Sequence, residues 1–484
     1  MPRKIILLVS VLLFAQAISA QVHQRLNENY ATYKDSSITD RRFKHEDIVR
    51  IITALPERFH AKVVGQSIEG RDIYLLRLGD GPKKVLLWSQ MHGDETTATQ
   101  ALIDIFNFFR ADDRFNDLRQ QILDECTLYF IPLLNPDGAE RFQRRNALGI
   151  DLNRDALRLQ CPESRILKAV RDSTEADWGF NLHDQNRYYS AGAGNEQTAA
   201  ISFLAPAYNY EKDVNQIRER AMQLIGVLND MVQHYLPGQV GKYSDAFEPR
   251  AFGDNIQKWG TSTILIETGG LAGDRNKQEL RRINFLMLMR AFESIADDSY
   301  ASYSRRTYNS IPFNDYGAFQ DLLIKQVEVQ REGEWYTVDL AMRLREIDYN
   351  DYRNYYLEGY IEDIGDLSVY YGYETLNAQG LRAYPGKVYP KIMRSVKEAA
   401  ELDVLELYEQ GFTTVQVAAP VPNDNQYHSM PLRLVNAFPG NSAGTKSRIA
   451  IGNNPSLLLK DGDEQLRYAI INGQLFDASA LEED

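Results

Sequence analysis

A histidine and a glutamate stand three residues apart in the stretch LLWSQMHGDETTATQ, at His92 and Glu95. The residues before them, Val85 to Ser89, read as a buried strand, and Thr97 onward carries apolar residues at helical spacing. A strand-to-helix turn aims both side chains at one point. Two more polar residues end strand-like runs: His183 in NLHDQ and Glu267 in LIETGG. Two imidazoles and one carboxylate form a standard ligand set for catalytic zinc, with a fourth position open to water. A further carboxylate nearby would serve as general base on that water. Singly, each residue has a plainer explanation. A lone His at a strand end is commonly a satisfied core or turn residue, Glu267 can cap the turn that follows it, and Asp94 can bond a helix N-terminus. Recurrence at the ends of neighbouring strands is what favours a site.

The segment RRNALGIDLNRD brings Arg144, Arg145, Asn153 and Arg154 close together just after a turn. An arginine fork binds a carboxylate through two bonds, and a second arginine can polarise a carbonyl and stabilise its oxyanion. The competing reading is a solvated basic loop.

The elements that must position these residues alternate. From about Ile48 to Ala296 strand-like runs are separated by helical ones. DIYLLRLG and KKVLLWSQ read as neighbouring strands with GDGPK as the turn between them. TQALIDIFNFFR reads as a helix, TLYFIPLLNP as a strand ending at the NPDG turn, ESRILKAVRD as a helix, DWGFNLH and STILIETGG as strands, and two long helical runs complete the set. The pattern predicts an α/β fold: a mixed, mostly parallel sheet with helices on both faces and a ligand site at the carboxyl ends of the strands. After Ser299 the texture changes. Residues 301–312 read as a linker, and 313–484 as a smaller β-rich α+β domain without a concentrated His, Cys or carboxylate motif.

Taken together, the motifs of the first region resemble the zinc metallocarboxypeptidases of the carboxypeptidase A type. GQSIEGRDI is similar to that family's entry segment, HGDE to its His-x-x-Glu pair, and NPDG followed by R-x-N-x-x-G-x-D-L-N-R to its most distinctive signature. CPES resembles its Pro-Glu helix start and LIETGG its catalytic-glutamate strand. The resemblance covers roughly residues 45–300. It implies one Zn²⁺ per chain held by His92, Glu95 and His183, with Glu267 as the general base that later protonates the leaving amine. It implies Arg144 at the carbonyl oxyanion, and Asn153 and Arg154 at the substrate's terminal carboxylate. Asp155 departs from the family's usual Asn and is expected to compete for Arg154. Tyr243 lies near the position of a mobile family tyrosine but in a poorly matching stretch. Asp254 either selects a basic terminal residue or bonds backbone in a turn. Asp184, directly after a predicted ligand, has no assigned role.

The expected activity is a metallocarboxypeptidase acting on peptides with a free C-terminal carboxylate. Alternatives are a zinc deacylase or amidase on N-acyl amino acids or peptidoglycan stem peptides, and a non-catalytic binder of peptide ends. The 484 residues carry a net charge of −13, which argues against a nucleic-acid partner. MPRK followed by IILLVSVLLFAQAISA reads as a signal peptide over residues 1–20, which predicts export to the periplasm or medium with no stable membrane anchor. The two cysteines, Cys126 and Cys161, are equally consistent with a disulfide and with two buried thiols.

Overall fold

The computed structural model describes residues 22–437 and 448–482, so the segment read as a signal peptide lies outside the described residues. The chain divides into two compact units, Met1–Asp315 and Tyr316–Asp484.

In the first unit eight strands form one mixed sheet: β1 (Lys62–Gln66), β2 (Asp72–Leu78), β3 (Lys83–Ser89), β4 (Cys126–Ile131), β5 (Trp178–Asp184), β6 (Ile201–Leu204), β7 (Val240–Lys242) and β8 (Ser262–Thr268). Their spatial order is β1-β2-β4-β3-β5-β8-β6-β7. The four central strands β4, β3, β5 and β8 are mutually parallel, and β2 and β6 flank them antiparallel. This is the mixed, mostly parallel α/β sheet. The expected pairing of β2 with β3 does not occur: β4 lies between them, although GDGPK joins them directly. A short polar link between two strand-like runs reads as a hairpin in sequence, but here each run pairs instead with the later strand.

Alternation along β3 shows why the sheet is covered on both sides. Val85 and Leu87 enter one buried cluster with the helices Thr97–Arg110 (α1), Gln216–Tyr235 (α2) and Gln278–Ala296 (α3). Leu86 and Trp88 enter a second with the helix Pro162–Thr174 and with Phe252 and Ile256. Neighbouring side chains on a strand point to opposite faces, so a run of apolar residues fills both. Each fully buried large apolar side chain contributes about 1.5–3 kcal/mol. Phe292 of α3, for example, packs against Phe109, Phe130 and Phe180.

Residues 301–312 do not behave as a free linker. Arg305–Ser310 is a short helix, and Tyr308 and Ile311 are buried in the first cluster. The Tyr, Ser and Arg content that reads as linker conceals two apolar anchors. Cys126 and Cys161 are buried free thiols, both pushed up to about 12 by burial.

The second unit is β-rich. Phe319–Arg331 and Glu334–Tyr349 form an antiparallel hairpin, continued by Asn354–Gly365. Its two-residue turn, Glu332-Gly333, has positive φ at both positions (50° and 93°), the geometry whose twist suits a tight hairpin. Val396–Ala400 and Val404–Glu409 are short helices within this unit. Among the described residues no helix is long and apolar enough to cross a membrane.

Candidate metal centre and its surroundings

The sheet delivers the site from three adjacent parallel strands. His92 and Glu95 lie in the turn between β3 and α1, His183 near the end of β5, and Glu267 near the end of β8. His183 and Glu267 are direct register partners across β5 and β8. The turn holding His92 is pressed against the NPDG turn. A Cβ on Gly93 would collide with the backbone of Gly138 and Ala139, and one on Gly138 with the Asn135 side chain and the Arg145 carbonyl, so close approach requires both motif glycines. Asn135 fastens the two turns: its Nδ2 donates to the Met91 carbonyl at 3.2 Å, and its Oδ1 accepts from the Gly138 N–H at 2.9 Å.

His92 Nδ1 lies 2.7 Å from Glu95 Oε1, and His183 Nδ1 lies 2.6 Å from Glu95 Oε2. One ligand atom from each of the three residues falls within 4.8 Å of the others, and all three residues are buried. The opposite nitrogen of His92, Nε2, lies 3.1 Å from Asp151 Oδ1. With a metal ion bound, a carboxylate there would hold the Nε2 proton and leave the Nδ1 lone pair for the ion. The donor set of two imidazole nitrogens and one carboxylate, buried and mutually in reach, fits a zinc ion.

The electrostatics reflect this crowding. Burial pulls His92 down, but the charge of Glu95 and the bonds to Asp151 and Glu95 outweigh it and hold the imidazole at about 9. Burial lowers His183 despite the same glutamate. Burial, then the neighbouring charge of Glu95, pushes Glu267 well above the ordinary carboxylate range. Glu267 is half-buried, and its side chain makes no hydrogen bond among the described residues.

Arg144 reaches the same cluster. Its Nη1 lies 3.1 Å from His92 Nδ1 and 3.4 Å from Glu95 Oε1, while its Nε donates to Asp151 Oδ2 at 3.1 Å. Asn153 is buried, and its Oδ1 accepts from the Phe252 N–H at 2.9 Å. Arg154 is exposed; its Nη1 donates to the Asn153 carbonyl at 2.7 Å and its Nε lies 3.6 Å from Glu248 Oε2.

Residues 45–212 match the family model described as zinc carboxypeptidase. This stretch is similar to zinc carboxypeptidases. The matched stretch includes every predicted site residue except Glu267. A curated relative, Carboxypeptidase SOL1 of Arabidopsis thaliana, is 30% identical over 176 residues, covering 30% of this chain and 35% of that protein. The Carboxypeptidase N catalytic chain of Homo sapiens is 27% identical over 142 residues, 24% of this chain and 31% of that one. The chain thus spans about a third of these two relatives. Among solved structures, a metallo-carboxypeptidase from Burkholderia cenocepacia is 18% identical and covers 53% of this chain and 69% of its own, with a TM-score of 0.42. Carboxypeptidase A from Helicoverpa armigera is 15% identical, covering 58% of this chain and 80% of its own, with a TM-score of 0.40.

Several expectations at the edge of the site change in the structure. Asp155 does not compete for Arg154: its two oxygens accept from the Gln160 and Cys161 N–H groups, each at 2.9 Å, and it is buried. Asp254 bonds backbone, accepting from the Glu248 N–H at 3.0 Å. Asp184 accepts from the Thr97 hydroxyl at 2.7 Å and pairs with Lys277 at 3.2 Å, which braces the strand end beside His183. Tyr243 stands against Tyr189, ring centroids 5.7 Å apart, and burial together with the charge of Glu267 raises its hydroxyl. Asp151 is the residue whose role the sequence reading missed. The signal was present, since it is the Asp of the D-L-N-R signature, but nothing in its spacing says which histidine it faces.

Proposed function

We propose that the chain is a zinc-dependent carboxypeptidase that hydrolyses the last peptide bond of chains with a free C-terminal carboxylate. The observation that carries this reading is the convergence of His92, Glu95 and His183 on one point, with Arg144 at 3.1 Å from His92 Nδ1 and Glu267 in register beside His183. His92 Nδ1, His183 Nδ1 and Glu95 would hold the zinc, one ion per chain. When bound, zinc supplies Lewis acidity toward a water molecule and the substrate carbonyl.

The other roles belong to the chain itself. Glu267 takes a proton from the attacking water and delivers it to the leaving amine; its uncommitted carboxyl, in register beside His183, is placed for both transfers. Arg144 donates to the carbonyl oxygen as negative charge develops there. Asp151 fixes the tautomer of His92 and the orientation of Arg144 together. Asn153, with its Oδ1 taken by the Phe252 N–H, keeps its Nδ2 protons for an incoming carboxylate, and Arg154 adds the charged fork. The basic and apolar start of the chain supports export of the enzyme.

The test is a panel of N-blocked dipeptides, each as free acid and C-terminal amide, assayed with and without a zinc chelator. Chelator-sensitive cleavage of acids, with amides much slower, is the expected result. Equal rates on amides would remove the anchoring role of Asn153 and Arg154.

A further inference from the structure

We propose that Glu248 is a built-in competitor for the carboxylate anchor, and so sets how tightly this site holds a peptide end; this rests on the carboxypeptidase reading above. Glu248 Oε2 lies 3.6 Å from Nε of Arg154, where a substrate carboxylate would have to sit. Both groups carry what the substrate carries or seeks: a carboxylate on one side, a guanidinium fork on the other.

The placement is enforced by the backbone. The Glu248 N–H donates to Asp254 Oδ1 at 3.0 Å, and the Ala251 N–H donates to the Glu248 carbonyl at 2.9 Å. The same segment is tied to the anchor's own turn. The Ala156 N–H donates to the Arg250 carbonyl at 3.1 Å, and the Phe252 N–H donates to Asn153 Oδ1 at 2.9 Å. Residues 248–252 and 153–156 therefore hold the acid beside the arginine by hydrogen bonds on both sides.

The pair is also exchangeable. The side chains of Arg154 and Glu248 are 39% and 32% exposed, whereas the structural pair Arg281–Asp104 is fully buried on both sides. Glu248 has a second partner as well: Arg250 donates to its two oxygens from Nε and Nη2, each at 3.0 Å. When Arg154 turns to a substrate, Glu248 keeps Arg250 and is not left unpaired. Giving up an exposed pair of this kind corresponds to about a two- to fivefold loss in binding, enough to set KM without blocking the site.

The experiment compares the zinc-loaded wild type with Glu248→Gln and Glu248→Asp on one N-blocked dipeptide acid and its amide, at low and high salt. Binding of the corresponding N-acetyl amino acid is measured in parallel by calorimetry. The inference expects KM for the acid and Kd for the N-acetyl amino acid both to fall about two- to fivefold in Glu248→Gln, with a smaller change in kcat. The gain should shrink in high salt, where exposed charges are screened, and Glu248→Asp should return toward wild type. Unchanged or weaker acid binding in Glu248→Gln, while the wild type still prefers acids over amides, overturns the role of Glu248 alone. A wild type that cleaves acids and amides equally overturns the anchoring reading, and this inference with it.

Discussion

Asp151 Oδ1 stands 3.1 Å from His92 Nε2, and its other oxygen, Oδ2, accepts from Arg144 Nε at 3.1 Å. One carboxylate thus orients a proposed metal ligand and a proposed oxyanion donor at once. Burial works against its charge, but His92 and Arg144 hold it well below the ordinary carboxylate range. Asp151→Asn should weaken zinc affinity by about 10- to 100-fold, the usual cost of losing a carboxylate behind a metal-bound histidine. Competition against a chelating dye measures it, and unchanged affinity would remove Asp151 from the site.

Glu267→Gln keeps the shape and the backbone pairing of β8 and removes the base. Turnover of a dipeptide acid should fall by about 10²- to 10⁴-fold while zinc content stays at the wild-type level. A variant with normal rates would show that another group moves the proton.

Arg144→Ala should lower kcat by about 10²- to 10³-fold, the range for one lost oxyanion donor, with a smaller effect on KM. The reverse pattern, a raised KM with kcat intact, would place Arg144 in ground-state binding instead.

Asp254 offers a test of pH dependence through stability. Burial raises its carboxyl from the ordinary 3.8 to about 6. A carboxyl that binds its proton more tightly in the folded chain loses stabilising effect as pH rises from 3.8 to about 6, and the penalty is complete above that. Asp254→Asn keeps an oxygen for the Glu248 N–H and cannot ionise. It should therefore be more stable than wild type at pH 8, by at most about 3 kcal/mol, and gain little at pH 3.5. Denaturant unfolding at the two pH values checks the sign; a larger gain at low pH would contradict it.

Much of the centre is legible in sequence because its parts sit at strand ends. His92, Glu95, His183 and Glu267 follow apolar runs that can only be strands of a covered sheet, and the rule that ligands gather at the carboxyl ends of parallel strands then brings them together. What sequence does not carry is partner choice. Asp155 stands next to Arg154 in the chain, yet its carboxylate turns to the N–H groups of Gln160 and Cys161; Glu248, 94 residues away in number, is the acid beside Arg154. The β2–β3 link fails for the same reason: local turn chemistry is satisfied by GDGPK, but the insertion of β4 is decided by long-range pairing. In residues 301–312 two buried side chains, Tyr308 and Ile311, outweigh a polar composition.

The most direct test of the centre is zinc content after exhaustive dialysis, measured for the wild type and for His92→Ala, Glu95→Gln and His183→Ala. Convergence of the three side chains on one ion predicts one zinc per chain in the wild type and a large loss in each variant. Zinc retained at the wild-type level in all three variants would contradict it.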